Sequence, residues 1–180
     1  YGTGAKKKYA LLGKNEELKI TGFEYVRRNW SELAKEVQQE VLRLVLQDKV
    51  DDALNYVRKV VKDLKEGKVD LDKLIMKTQI TRQLSQYSSI GPHVKVARDM
   101  EAKGEQITPG TLIKYVIVKG SGLVRERARI PSEVSQDGYD SEYYLKHQLL
   151  PAVSSIFAVL EYSEEDISEE TSQTGLGKFF

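Results

Sequence analysis

The sequence contains no cysteine. That excludes disulfides, thiolate metal sites and cysteine nucleophiles, and it is compatible with a reducing compartment. Histidine is nearly as scarce: only His93 and His147 occur, far apart along the chain and without ligand-spaced partners, so neither points to metal chemistry. An excess of charge of one sign is missing too. Lys and Arg number 28 against 27 Asp and Glu, a formal net charge of +1, so any basic surface must be local. No apolar run approaches the ~18 residues needed to cross a bilayer, and the basic residues near the N-terminus lack a signal-type apolar core behind them. The expectation is a cytoplasmic chain with no membrane partner. A Gly-rich phosphate loop, a nucleophile elbow and a metal-binding helix motif are all absent. Asp70 and Asp72 alternate as paired metal carboxylates do, but they follow a helix stop, where capping accounts for both. The chain reads as a binder rather than a self-contained enzyme, with no catalytic residue, metal or cofactor of its own.

What is present fits one domain with an appendage or two, since 180 residues can bury a sizeable core. KKKYALL and LKITGF flank the polar turn GKNEE and predict a short hairpin. In RRNWSELAKEVQQEVLRLVLQ, Asn29 and Glu32 have capping-box spacing and Leu33, Val37, Val41 and Leu44 recur at helical intervals. A second amphipathic helix follows, with Val50, Ala53, Leu54, Val57, Val61 and Leu64 on one face, Asp51 and Asp52 at its positive end and Gly67 as its stop. KLIMKTQITRQL is short and β-branched, hence extended, and leads into a turn at SSIGP. Pro92 opens a helix ended by Gly104. Thr111 to Val118 reads as a strand with a local partner. Asp140 or Ser141 caps the last large helix, which Pro151 is expected to bend or break. After Tyr162 an acidic, flexible linker is expected.

Several stretches have nucleic-acid chemistry. In KKKY, alternation sends Lys6 and Lys8 to one side and Lys7 and Tyr9 to the other, a strip suited to phosphates and equally to a solvated edge strand. Arg27 and Arg28 precede a helix N-terminus, where they fit a phosphate grip or ordinary surface arginines. Thr81 and Arg82, with Ser88, Ser89, Gly91 and His93 close by, form a polar turn of the kind whose amides bind phosphates. The terminal QTGLGKFF fits the sliding-clamp peptide pattern through Gln173, Leu176, Phe179 and Phe180. The competing reading is a hydrophobic latch onto the chain's own fold.

Read in order, KKKY, RRNWSELAKEVQ, QITRQL, GPHVKVARDMEAKG, PGTLIKYVIVKGSG and YDSEYYLKHQLLPAV resemble the C-terminal region of family B DNA polymerases, most closely the archaeal ones. The resemblance runs over nearly the whole chain. It implies an α+β fold, mostly a helical polymerase thumb, with a palm-edge hairpin over 1–25, the thumb over 26–162 and an acidic linker with a clamp-binding peptide over 163–180. It implies that Lys6, Lys7, Lys8 and Tyr9 contact duplex near the primer end, that Thr81, Arg82, Gly91 and His93 hold backbone phosphates, and that Tyr143, Tyr144 and Gln148 lie on a DNA-facing helix. Asn29 stands where archaeal relatives usually carry an acidic residue, and His147 where many carry asparagine. The family's palm carboxylates, finger helix and exonuclease acids precede KKKY, so the implied partner is a larger chain that holds Mg2+ and carries palm, fingers and exonuclease. Primer–template DNA and the sliding clamp complete the expected partners. A start at Tyr1, close to KKKY, resembles the small subunit of a split archaeal polymerase; a fragment of an undivided enzyme reads the same. A stand-alone DNA-binding adaptor for the clamp is the alternative.

Overall fold

Periodic apolar residues on two successive segments create the first layer. The computed structural model describes residues 9–12, 18–21 and 30–168. Helix α1 (Glu32–Leu46) and helix α2 (Val50–Lys65) pack against each other as a hairpin. Leu33, Ala34, Val37, Val41, Leu42 and Val45 of α1 are buried, as are Ala53, Leu54, Val57, Val61 and Leu64 of α2. The α1 cap differs from the Asn29–Glu32 expectation. Ser31 is the N-cap, its hydroxyl accepting from the Ala34 amide at 3.3 Å, because Ser31 is itself buried and its own N–H is held by Gln148 Oε1 at 2.9 Å. Asp48 closes the hairpin in the left-handed region at φ 63, a conformation that Asp tolerates better than most residues. Gly67 ends the second helix with φ 74, as its position after Lys65 demands.

The second layer is a small antiparallel sheet in the order β3–β4–β5, formed by strands β3 (Met76–Gln79), β4 (Leu112–Ile117) and β5 (Ala128–Arg129). The Thr111–Val118 strand was expected to pair locally, and β5 does so through Val116–Arg129 and Ile117–Ala128. Its other partner, β3, lies on the far side of helix α3 (Pro92–Ala102), with Met76 opposite Tyr115 and Gln79 opposite Leu112. Composition identified that strand, but a strand's partner across an intervening helix leaves no local trace. Strands β1 (Tyr9–Leu12) and β2 (Leu18–Thr21) form the predicted hairpin, Tyr9 opposite Thr21.

The last long helix runs through Pro151 instead of breaking there. Asp140 caps helix α4 (Ser141–Tyr144), a π-turn covers Leu145–Leu149, and helix α5 (Leu150–Val159) follows directly. Proline lacks an amide and crowds the carbonyl four residues back; the wider π spacing immediately upstream relieves both, leaving Pro151 in the first turn of α5. The first residues of the expected acidic linker are helical instead. Helix α6 (Glu164–Ser168) packs on α2, Ile167 is fully buried, and Arg58 donates to the Asp166 carbonyl at 3.0 and 2.7 Å. A single isoleucine in an acidic run supplies the anchor that composition hides.

Buried polar ties lock the layers together. Gln38 Nε2 donates to the Ala152 carbonyl at 2.8 Å, and the Tyr139 hydroxyl donates to the Leu64 carbonyl at 2.8 Å. Arg127 pairs with Asp140, both side chains largely buried. Each is worth more intact than its parts, since a lone buried polar group costs its desolvation.

Candidate nucleic-acid interface

Strand β3 delivers the polar turn to the surface. The ladder continues one residue past Gln79: the Ile80 amide donates to the Thr111 carbonyl at 2.8 Å, and the Ile80 side chain is buried. Thr81 and Arg82 then emerge exposed. Leu84, buried, roots the next short 3-10 turn, and Arg98 from α3 donates to its carbonyl at 3.3 Å.

Tyr87 organises this turn. Its hydroxyl oxygen accepts the Thr81 amide at 3.0 Å and lies 3.3 Å from the Thr81 hydroxyl. The Arg82 guanidinium sits 5.2 Å from the ring centre, a cation–π contact that orients a charge otherwise free to roam. The Thr81 hydroxyl and then the Thr81 amide lower the phenol's pKa from its usual value. On the other side, His93 meets the ring edge-on, with centroids 6.0 Å apart and planes at 84°. Partial burial lowers the His93 pKa, favouring the neutral ring. Gly91 makes room: a Cβ there would lie 3.3 Å from both Cε1 and Nδ1 of His93, tighter than most side chains accept. Pro92 occupies the first turn of α3, so Gly91 and His93 are presented at a helix N-terminus.

Four residues singled out from the sequence, Thr81, Arg82, Gly91 and His93, are therefore brought together. Tyr87 was missed; its signal was an aromatic residue inside an otherwise polar turn, QYSSIGP. A cleft of roughly 500 Å³ continues past it, lined by Ser88, Ser89, Ile90, Lys95, Arg125 and Glu126. Lys95 is tied to Asp99 at 2.6 Å, whereas Arg125, also missed, is exposed.

The expected DNA-facing helix requires correction. Tyr144 and Gln148 lie four residues apart, on one stripe, and that stripe faces the core. Tyr144 is fully buried, its hydroxyl donating to the Leu74 carbonyl at 2.8 Å and accepting the Ile117 amide at 3.1 Å. Burial pushes its pKa far up. Gln148 is spent on the Ser31 amide. Neither can reach a nucleic acid without unmaking the fold. Tyr143 and His147 occupy the neighbouring, outer stripe, their rings stacked at 5.0 Å and 30°. Tyr143 is half-buried, its hydroxyl 3.8 Å from Met76 Sδ, and burial is the main cause of a pKa pushed up to about 12. Lys6, Lys7, Lys8, Arg27, Arg28 and the terminal Gln173, Leu176, Phe179 and Phe180 lie outside the described residues, as does the side chain of Tyr9. Asp70 caps the amide of Asp72 at 3.1 Å, the structural role expected of it.

The fold is thus a mostly helical α+β module carrying a polar turn organised around Tyr87. The family model for DNA polymerase family B matches residues 4–160, and the chain belongs to that family. It is 42% identical over 176 residues to a DNA polymerase of Thermococcus aggregans, covering 96% of this chain and 10% of that protein. For a DNA polymerase of Methanocaldococcus jannaschii the identity is 38% over 176 residues, covering 97% and 11%. The solved family B DNA polymerase of Pyrobaculum calidifontis superposes with a TM-score of 0.73 at 35% identity, covering 96% of this chain and 21% of that one. A DNA polymerase of Thermococcus sp. (strain 9oN-7), 42% identical, is covered to 23%, so the chain spans between a tenth and a quarter of the relatives it matches.

Proposed function

We propose that this chain is the thumb part of a DNA-directed DNA polymerase, gripping primer–template duplex while palm carboxylates that lie outside these 180 residues hold the Mg2+ for nucleotidyl transfer. The observation that carries the reading is the Tyr87-centred turn, in a chain collinear with family B polymerases over residues 4–160. Arg82, held by the Tyr87 ring, offers charge-assisted hydrogen bonds to a phosphate. The Gly91 backbone and the α3 N-terminus favour a second phosphate next to His93. Contacts to the backbone carry no base code, which suits an enzyme that must translocate over any sequence. Lys6 to Tyr9, Arg27 and Arg28 extend the grip toward the primer end, and Tyr143 remains available on the outer stripe. Gln173, Leu176, Phe179 and Phe180 recruit a sliding clamp.

The test is reconstitution. A palm-bearing family B chain lacking its own thumb is assayed for Mg2+-dependent primer extension with and without this chain. The proposal expects none from this chain alone and strong stimulation of the partner. Duplex binding without any stimulation favours the clamp adaptor instead.

A further inference from the structure

The exposed face of the three-stranded sheet contains an arrangement that folding alone does not reward. Lys77 on β3 and Lys114 on β4 are direct cross-strand partners, and both are exposed. Ile80 and Thr111 form a hydrogen-bonded rung, so alternation makes Lys77–Lys114 a non-hydrogen-bonded one, where opposed side chains lie closest. Like charges set opposite each other destabilise a sheet. Among the described lysines, Lys35, Lys59, Lys68, Lys73, Lys95, Lys103 and Lys146 each have a carboxylate in ion-pair range. Lys77 and Lys114 have none among the described residues. Protection of a sheet edge is met by one lysine at this rung; a second directly opposite it on β4, short of the two residues that β5 pairs with, sets like charge against like.

We infer that this lysine pair is a second phosphate-binding strip, taking the sugar–phosphate backbone of the same duplex next to the Thr81–Arg82 turn. The inference rests on the thumb reading above and extends its contact surface. Lys77, Gln79 and Thr81 are all exposed while Met76 and Ile80 are buried, so the strip and the turn share one side of β3. At about 3.3 Å per residue the lysine pair lies roughly 13 Å from Thr81. Since phosphates follow every ~3.4 Å of axis on each strand, the pair addresses phosphates beyond those at the turn. Leu112, 49% exposed and opposite Gln79, gives the strip an apolar floor for deoxyribose. A polyanion removes the repulsion that the sheet otherwise bears, so binding and sheet stability reinforce each other.

The test is the salt dependence of duplex binding by the 180-residue chain, read by fluorescence anisotropy on two labelled primer–templates of unrelated sequence. The parent is compared with Lys77→Ala/Lys114→Ala, with Lys77→Gln/Lys114→Gln to preserve a polar edge, and with Arg82→Ala. Both double variants are expected to reduce the slope of log K against log salt by about 1.8, at ~0.9 per lost phosphate contact, equally on both sequences. Their thermal midpoints should be unchanged or higher. An unchanged slope in the double variants, with Arg82→Ala lowering it by about 0.9, overturns the strip and leaves the thumb reading standing. An alanine variant that self-associates with its DNA slope intact assigns the lysines to edge protection and likewise overturns it. Absence of duplex binding by the parent, with no effect of Arg82→Ala, removes the thumb reading and the strip together.

Discussion

Replacing Tyr144 by Phe removes one oxygen atom from the middle of the fold. The ring contacts survive, edge-on to Tyr139 at 6.2 Å and to Tyr143 at 5.3 Å, so the change isolates the hydroxyl. That hydroxyl joins three elements: its own helix α4, the Leu74 carbonyl of the 3-10 turn after α2, and the Ile117 amide of β4. Without it a buried carbonyl and a buried amide lose their partners, at about 1–3 kcal/mol each. A central loss of about 3 kcal/mol lowers the unfolding midpoint by roughly 6–12 °C for a chain of this size. Urea and thermal unfolding followed by circular dichroism measure it. Duplex affinity, compared where both proteins are folded, should change less than twofold. A variant as stable as the parent that binds duplex tenfold more weakly refutes the burial argument and restores Tyr144 to the DNA-facing surface.

Asp140→Ala removes both the α4 cap and the partner of buried Arg127, and should cost about 3–5 kcal/mol for the orphaned charge plus about 1 kcal/mol for the cap. Asp140→Asn keeps a capping oxygen and should recover about 1 kcal/mol of that by urea midpoint. His93, whose folded pKa lies below 6.5, binds protons more readily when unfolded; stability is therefore constant above that value, falls as pH drops from 6.5 toward the folded pKa, and levels off below it. His93→Gln should flatten this segment of a stability-versus-pH curve. Phe179→Ala with Phe180→Ala should leave synthesis on short primers nearly intact but abolish stimulation by a proliferating-cell-nuclear-antigen-type clamp; intact clamp binding with reduced thermal stability instead supports a latch.

Elements with a strong period were legible in the sequence. The α1–α2 hairpin follows from apolar spacing, and α3 from Pro92 and Gly104. Strand β4 follows from its β-branched run. Features that depend on distant partners were not. Asn29 has capping-box spacing, yet Ser31 caps α1, because Gln148, 117 residues away, fixes the Ser31 amide. Pro151 reads as a bend or a break until the π-turn before it is seen. The candidate site divides the same way. Thr81, Arg82, Gly91 and His93 are close in sequence and end close in space, whereas which stripe of α4 faces outward depends on what packs beneath it. Motif matching placed Tyr143, Tyr144 and Gln148 together; burial separates the first from the other two.

The central claim, that the Tyr87-centred turn holds the duplex backbone, is tested most directly by amide hydrogen exchange of the 180-residue chain with and without primer–template DNA at low salt. The account predicts slowed exchange concentrated over residues 77–95, with no change along α2. Protection confined to α2, or none anywhere under conditions of saturating duplex, contradicts it.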